Sequence, residues 1–441
     1  MVPLLGAWVL VSVGVLVVRG LVKPRGVGLV PAYLLATFAL FFPGALAYAF
    51  RSYEPLHPAE VVQAGFQVAL IGVIGFALGS VLVAPLVIRG LTKTEERRQT
   101  GDAEITRMTH WYLVLGALSY VALLGVVSTI PTATAIVSVG QQLVPMGLCL
   151  VAWQAKRKHD RRGLALAIGC TVLLPFATIV TQGFLSYGSA AALVVSAFIA
   201  SQSRRQWVAA LVGLALLYVG FSMFQTYMRD RDLLRNAVWG NQPADARVQQ
   251  IGQTFGNIAW LDFNSQKQMG KFDDRLNQSF LVGSAVYRLN DSGGYAYGST
   301  LVQAAEGLVP RIIWPSKPAF AGSGEVVSDY TGVQFGIGTS VGISSILELF
   351  INFGTLGVFL GMIVIGTIVT ALDAEAGRRL AMTDIRGFVP VFLVGLAFLQ
   401  VGGSFVEVTA TAGASLVVAW IVNRRLRLER QTVPRPRPLP A

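Results

Sequence analysis

The chain has 441 residues, of which 54% are apolar and only 13% are charged, and its mean hydropathy is +0.60. A water-soluble protein could not cover so much apolar surface with so few charged residues, so a soluble globular fold is excluded. The net charge of +12 is not arranged as a basic stripe interleaved with aromatic residues, which excludes a typical nucleic-acid-binding surface. We therefore expect a protein that lies in the lipid bilayer and binds no nucleic acid.

Apolar segments long enough to cross a bilayer run through most of the chain. Crossing the hydrocarbon takes roughly 20 apolar residues in a helix. These segments lack the alternating pattern of barrel strands, and only helices and closed barrels satisfy the backbone in lipid. The sequence thus predicts an all-α polytopic membrane protein with about eleven transmembrane helices, in a range of roughly ten to twelve. The predicted spans are Val2–Val18, Val27–Phe50, Val61–Ile88, Trp111–Ile130, Ala135–Gln154, Leu164–Thr181, Ala190–Ser201, Trp207–Phe224, Leu349–Leu372, Gly387–Val401 and Thr409–Val422.

One long polar segment, residues 225–347, interrupts this series and is called the large loop below. It divides the chain into an N-terminal membrane region at 1–224, with about eight helices, and a C-terminal membrane region at 348–423, with about three. A basic tail rich in Pro and Arg follows at 424–441. Because polar chemistry needs groups outside the hydrocarbon, the large loop and its boundaries with the membrane are where we expect the function to reside.

The distribution of charge predicts the orientation of the chain. The segments that follow odd-numbered spans hold 24 of the 35 Lys and Arg residues and 9 of the 23 acidic residues, a net charge of +15. The remaining 11 basic and 14 acidic residues give a net charge of −3 on the other side. An excess of basic residues is typical of the cytoplasmic side. We therefore expect an N-terminus outside, a cytoplasmic C-terminus and a large loop outside the cell's inner membrane.

This orientation is testable with single cysteines. Cysteines introduced at Asn241 and Ser316 should react in intact cells with a thiol reagent that cannot cross the membrane, and one at Lys158 should not. The wild-type chain, which has Cys149 and Cys170 within predicted spans, is the background control. Labelling of Lys158→Cys without labelling of Asn241→Cys would contradict the orientation.

The sequence carries no pattern for a metal or nucleotide cofactor. It has two cysteines and three scattered histidines, and it contains no HExxH, CxxC, P-loop or dinucleotide-binding glycine motif. We expect neither a metal site nor any cofactor.

Two arginines of the large loop are candidates for binding phosphate. Arg229 lies in the segment Thr226–Arg235, where arginines alternate with aspartates, and Arg288 lies in Val286–Gly298, whose glycines and tyrosines suit a bend with exposed rings. Guanidinium groups match phosphate oxygens in a bidentate geometry. The alternative for each is an ion pair that serves only the loop's structure.

Two further segments are more specific. Prolines stiffen residues 306–318, and such a segment can hold Arg311, Trp314 and Lys317 in fixed directions. Residues 336–357 lead into the ninth predicted span, with Ser344 or Ser345 as a helix cap and with Glu348 and Asn352 one turn apart on one face. A carboxylate at the start of an apolar helix is costly and usually has a partner or a task. The alternative is a hydrogen bond from Asn352 between helices and a Glu348 that reaches toward water.

These two segments resemble motifs of a known family, the bacterial oligosaccharide repeat-unit polymerases of the Wzy or O-antigen polymerase type. The similarity covers residues 307–361 most strongly. One departure is that related chains often carry an arginine where this chain reads Ser186–Ala190. The residues that carry the resemblance are P-R-I-I-W-P-S-K-P at Pro310–Pro318 and, in the second segment, Ser345, Glu348, Asn352, Phe353, Gly354 and Gly357.

The resemblance implies a GT-C-like membrane glycosyltransferase that needs no nucleotide sugar. It would transfer a glycan from a polyprenyl diphosphate to the terminal sugar of another lipid-linked repeat unit, for O-antigen, capsule or exopolysaccharide. It also implies lipid-linked glycans and the bilayer as partners, together with a chain-length regulator and a flippase. The roles implied for individual residues are catalysis by Glu348 and Arg311, and substrate binding by Arg229, Arg288, Lys317, Trp314 and Asn352.

Two alternatives remain open from the sequence. An enzyme similar to O-antigen ligases would differ only in its acceptor, which no residue pattern here identifies. A polysaccharide-related transporter or flippase would show an internal repeat and charged residues deep in several spans. No clear repeat is present, and polar residues within spans, such as Gln141, Gln142 and Gln400, suit contacts between helices.

Overall fold

The computed structural model describes residues 1–21, 26–91, 99–122, 140–203, 205–240, 242–308, 314, 316, 323–335 and 341–432. Every regular element within these ranges is a helix, which confirms the all-α fold class. The helices before the large loop are α1 (Val2–Leu21), α2 (Leu29–Ala47), α3 (Ala59–Leu78), α4 (Ala84–Leu91), α5 (Asp102–Ala122), α6 (Leu143–Arg157), α7 (Arg161–Gln182), α8 (Ser186–Ser201) and α9 (Gln206–Trp239). Those that follow are α10 (Ala244–Gly256), α11 (Gln266–Arg275), α12 (Gln278–Ser292), α13 (Ser299–Gly307), α14 (Ser323–Thr331), α15 (Ser345–Ala381), α16 (Ile385–Phe398) and α17 (Phe405–Thr432).

Seven helical stretches among the described residues are long and apolar enough to cross a membrane. Two shorter apolar helices, α8 and α16, accompany them. Each of the predicted spans overlaps one of the helices, so the chain is a helical membrane protein. The count of about eleven exceeds these seven stretches and stays a prediction. The candidate stretches are Val2–Leu21, Leu29–Ala47, Ala59–Gly90, Arg161–Gln182, Trp207–Trp239, Ser345–Ala381 and Phe405–Arg425.

The large loop contributes a helix to the hydrophobic core. One face of α12 buries Leu281, Val282 and Leu289 in the same cluster as residues of α3 and α15. The backbones of α3 and α12 come so close at Gly65 and Gly283 that a Cβ atom at either would overlap the other helix's backbone. Part of the predicted loop is thus packed against the apolar helices, where glycines permit the contact.

Two boundaries differ from those predicted. Helix α9 continues past residue 225 to Trp239 and is interrupted at Asp230, whose φ of −114° and ψ of 16° are not helical. Residues 248–269, whose sequence predicts one amphipathic run, are divided between α10 and α11. In a polar segment, a helix ends where other groups can satisfy its terminal N–H and C=O groups. Hydropathy alone therefore does not predict these boundaries.

Asp373 ties α15 to the start of α2. Its carboxylate is buried, and Oδ1 accepts hydrogen bonds from the backbone N–H groups of Val27 and Leu29, both at 2.9 Å. Between them lies Gly28, with a φ of 98° that favours glycine. The residue before α2 is Gly28, which has no side chain to cap the helix. The Asp373 side chain therefore accepts hydrogen bonds from N–H groups at the start of α2.

A second buried carboxylate, Asp273 of α11, anchors the segment after α2. It accepts hydrogen bonds from the hydroxyls of Tyr48 (2.8 Å) and Tyr53 (2.7 Å), the N–H of Leu56 (3.0 Å) and the amide of Asn277 (2.6 Å). Burial and the neighbouring carboxylate raise the pKa of the Tyr53 phenol, so it remains a donor at physiological pH. The charge is stabilised by neutral donors from the segment that joins α2 to α3.

We expect Asp273→Asn to destabilise the protein. The amide would turn an NH₂ group toward buried donors, and leaving one buried group unpaired costs roughly 1–3 kcal/mol. The measurement is the melting temperature of the detergent-solubilised protein. Asp274→Asn is the matched control, because Asp274 is an exposed neighbour paired only at the surface with Arg275. Equal melting temperatures for the two variants would contradict the anchoring role of Asp273.

Candidate functional site

The start of α15 is a short helical segment with a defined beginning and end. Ser344 has a φ of 46°, and its hydroxyl accepts a hydrogen bond from the N–H of Leu347 at 3.3 Å. Ser344 is therefore the capping residue that the sequence left open between two serines. Non-helical angles at Phe353 and Gly354 interrupt α15 two turns later. Gly354 has a φ of 63° and a ψ of −159°, a conformation essentially restricted to glycine.

Glu348 lies within this segment and is 1% exposed. Its Oε2 accepts a hydrogen bond from the N–H of Phe405, the first residue of α17, at 2.7 Å, and the Thr300 hydroxyl also hydrogen-bonds to the carboxylate. Within the described part of the chain, no ion pair involves Glu348. The Phe405 amide and the Thr300 hydroxyl therefore orient the Glu348 carboxylate.

Asn352 is fully buried one turn after Glu348 and joins three segments. Its Nδ2 donates to the Thr300 hydroxyl at 2.8 Å and to the Glu348 carbonyl at 2.7 Å. Its Oδ1 accepts from the N–H of Gly298 at 2.8 Å. The structure thus brings Glu348 and Asn352 together, as predicted from their spacing, and adds Thr300 of α13, which the sequence did not indicate.

A second carboxylate, Glu407, lies near Glu348 on α17. Its Oε2 accepts from the N–H of Ser404 at 3.2 Å, and the Ser404 hydroxyl accepts from the N–H of Glu407 at 3.2 Å. These reciprocal bonds form a capping box. Glu407 is close enough to Glu348 for the two carboxylates to repel each other. The spacing Ser404-x-x-Glu407 is the signal in the sequence that would have located it.

Arg229 is engaged in the loop's own structure. Its guanidinium binds the Asp230 carboxylate through Nε (3.0 Å) and Nη2 (2.9 Å). It also donates to the carbonyls of Asn257 (2.9 Å) and Thr254 (3.0 Å) at the end of α10. The contacts agree with the alternative in which Arg229 serves only the structure of the large loop, because they connect α9 with α10.

The other predicted residues are distributed as follows. Arg288 is exposed on α12, with Nη1 3.0 Å from the position that a Cβ atom of Gly332 would occupy. Trp314 is half-buried. Arg311 and Lys317 lie outside the described residues. The described contacts of Arg229 and Arg288 involve different residues from those around Glu348.

Arg231 and Arg235, which follow Arg229 in the same arginine-rich segment, lie together with Arg275, which the sequence did not indicate. Arg231 and Arg235 are one turn apart on α9, and both Arg235 and Arg275 of α11 repel the charge of Arg231. The Arg235 guanidinium lies over the rings of Phe184 (4.6 Å) and Trp239 (5.2 Å), and its Nε is buried with no hydrogen-bond partner among the described residues. Like charges held together are a feature of sites that bind anions. Arg275 belongs to α11, so no local spacing in the sequence links it to the two arginines of α9.

Comparison with known proteins identifies a family without an assigned activity. A family model described as a domain of unknown function, DUF8712, matches residues 73–428. The match covers most of the chain, so the chain belongs to this family. No curated protein and no solved structure matches it.

Proposed function

We propose that this member of the DUF8712 family polymerises lipid-linked oligosaccharide repeat units on the outer face of the bacterial cytoplasmic membrane. The proposal includes about eleven spans in a GT-C-like arrangement, an N-terminus outside and a cytoplasmic C-terminus. The donor is a glycan on a polyprenyl diphosphate, and the acceptor is the terminal sugar of another lipid-linked repeat unit. A chain-length regulator and a flippase are its expected partners.

The observation that carries this proposal is the environment of Glu348. A buried carboxylate without an ion pair in the described structure costs free energy, so its presence here is an argument for a functional role. It lies where the large loop meets α15, the position at which a lipid-linked substrate would bring its diphosphate out of the bilayer. The Phe405 amide and the Thr300 hydroxyl direct it, which is the preorganisation that proton transfer requires.

In the proposed reaction, the acceptor hydroxyl oxygen attacks the anomeric carbon of the donor glycan. The bond from that carbon to the diphosphate oxygen breaks, and its electron pair leaves with the lipid diphosphate. Glu348 accepts the proton of the acceptor hydroxyl. Arg311 stabilises the charge that develops on the leaving diphosphate, and Lys317 adds a second positive charge. Trp314 contacts the sugar, and Asn352 holds the site's backbone in place.

Arg231 and Arg235 of α9 and Arg275 of α11 are candidates for binding the diphosphate of the acceptor, the other lipid-linked repeat unit. Arg231 and Arg275 have carboxylate neighbours in Asp232 (4.0 Å) and Asp274 (2.8 Å), whereas the buried Nε of Arg235 has no described partner. We include the three arginines as binding residues for a lipid diphosphate, beside Arg229 and Arg288. Arg229 would contribute mainly by positioning α10, since Asp230 and two carbonyls already occupy its guanidinium.

Deletion of the gene in its source bacterium tests the function directly. We expect surface polysaccharide to be reduced to single repeat units, with full-length polymer restored by the wild-type gene. Unchanged polymer in the deletion strain would overturn the polymerase. Polymer that is complete but stays on the lipid carrier would favour the ligase-like enzyme, and repeat units trapped on the cytoplasmic side would favour a flippase.

A further inference from the structure

A short aromatic loop adjoins the Glu348 site and has no role in the reaction described above. The loop, Gly293–Gly298, reads G-G-Y-A-Y-G and joins α12 to α13. The Ala296 N–H donates to the Ile351 carbonyl at 2.8 Å, and the Gly298 N–H donates to Asn352 Oδ1 at 2.8 Å. The same buried asparagine that contacts the Glu348 backbone therefore sets the position of this loop.

Two aromatic rings pack closely against glycines that have a positive φ, Gly298 and Gly354. The Tyr295 ring lies 3.6 Å from the position that a Cβ atom of Gly354 would occupy, and the Phe353 ring lies 3.3 Å from that position at Gly298. Tyr295 also makes an edge-to-face contact with Tyr297, with ring centroids 6.2 Å apart and planes at 64°. A Cβ atom at Gly298 would crowd the Phe353 ring, and the positive φ at both glycines disfavours any other residue there.

Tyr297 is unusual in both its backbone and its exposure. Its φ is 46°, a left-handed conformation that a bulky residue rarely adopts and that costs roughly 1–3 kcal/mol. Its side chain is nevertheless 75% exposed, so burial does not compensate for this strain. Phe353 is 49% exposed beside the loop. Residues with strained backbone cluster at active sites and ligand-binding sites, so this conformation is a reason to look for a function of Tyr297.

We propose that Tyr297, with Tyr295 and Phe353, forms a stacking platform for a pyranose ring of the glycan. The C–H groups on one face of a sugar ring carry partial positive charge and pack on the negative face of an aromatic ring. Asn290 and Asp291 at the end of α12 are exposed beside the loop and supply polar groups for sugar hydroxyls. This platform rests on the proposed function, and it assigns the glycan a place beside Glu348.

A membrane-interface anchor is the competing role for these tyrosines. Tyrosines at a bilayer surface need only lie at the depth of the headgroups, which ordinary backbone conformations allow. Anchoring does not account for a positive φ at Tyr297 or for a hydrogen bond from the loop to Asn352. A glycan that must be oriented relative to the Glu348 carboxylate accounts for both.

The test uses the purified full-length protein in nanodiscs and a soluble oligosaccharide released by partial acid hydrolysis from the surface polysaccharide of the source bacterium. Binding is measured by isothermal titration calorimetry. Tyr297→Ala should weaken binding about tenfold, the loss expected for removal of one aromatic stacking contact, and Tyr297→Phe should bind like the wild type. Tyr287→Ala is the matched control, because Tyr287 is an exposed tyrosine of α12 outside the loop.

Tyr297→Gly separates loss of the ring from loss of the fold. Glycine adopts a φ of 46° without strain, so this variant should melt no lower than the wild type while it loses binding. Wild-type affinity in Tyr297→Gly would overturn the platform. So would a wild-type protein that binds no oligosaccharide.

These outcomes are distinct from failure of the polymerase. A deletion strain with normal polymer, together with oligosaccharide binding that depends on Tyr297, would leave the platform in place and remove the polymerase. A deletion strain arrested at single repeat units, with wild-type binding by Tyr297→Gly, would leave the polymerase in place and remove the platform.

Discussion

Glu348→Gln is expected to leave repeat units unpolymerised in a protein that folds and inserts normally. Glutamine can still accept a hydrogen bond from the Phe405 amide, and its NH₂ can donate to the Thr300 hydroxyl. What it loses is the negative charge and the basicity needed to take a proton from the acceptor hydroxyl. Loss of a general base lowers a rate by about 10²- to 10⁴-fold.

The measurement is the chain length of surface polysaccharide in a deletion strain that carries the variant gene, with protein abundance in the membrane determined in parallel. Glu407→Gln is the matched control, because glutamine also serves in a capping box and leaves α17 intact. Wild-type chain lengths from Glu348→Gln would remove this residue from the mechanism. Glu348→Gln also separates two roles of Glu348. Accepting a proton requires its negative charge, whereas accepting a hydrogen bond from the first amide of α17 does not.

Arg311→Ala is expected to abolish full-length polymer at normal protein abundance. Removal of one preorganised donor from a developing negative charge typically lowers a rate by about 10²- to 10³-fold. Arg311→Lys should also fail in large part, because an ammonium group keeps the charge but cannot bind two oxygens in the fork geometry of a guanidinium. The measurement is again polymer length in the complemented deletion strain.

Arg51→Ala and Arg51→Lys are the controls for this pair, since Arg51 is an exposed arginine in the segment between α2 and α3. Both should support normal polymer. Full-length polymer from Arg311→Ala at normal abundance would exclude the proposed role. Failure of Arg311→Ala with normal function of Arg311→Lys would indicate that a positive charge suffices and that no bidentate contact is made.

Local patterns predicted the pair at the start of α15 because a helix relates residues that are close in sequence. The i, i+4 spacing placed Glu348 and Asn352 on one face, and the serines before them indicated a cap, which Ser344 provides. The same local logic could not tell whether Arg229 faces a ligand or its neighbour. Asp230, Thr254 and Asn257 supply its partners, and the last two lie at the end of a different helix, α10.

The sequence by itself determined the class of protein and the approximate positions of the apolar helices that the structure describes, because lipid requires every backbone group in a spanning helix to bond within its own segment. Hydropathy is a local property, and it was therefore sufficient for that result. Only the tertiary structure decided what surrounds the polar side chains. Glu348 meets Phe405, Asn352 meets Gly298 and Thr300, and Asp273 meets Tyr48 and Tyr53, all through contacts between residues far apart in the chain. Such contacts depend on how helices pack, and a buried polar group finds its partners only after that packing has formed.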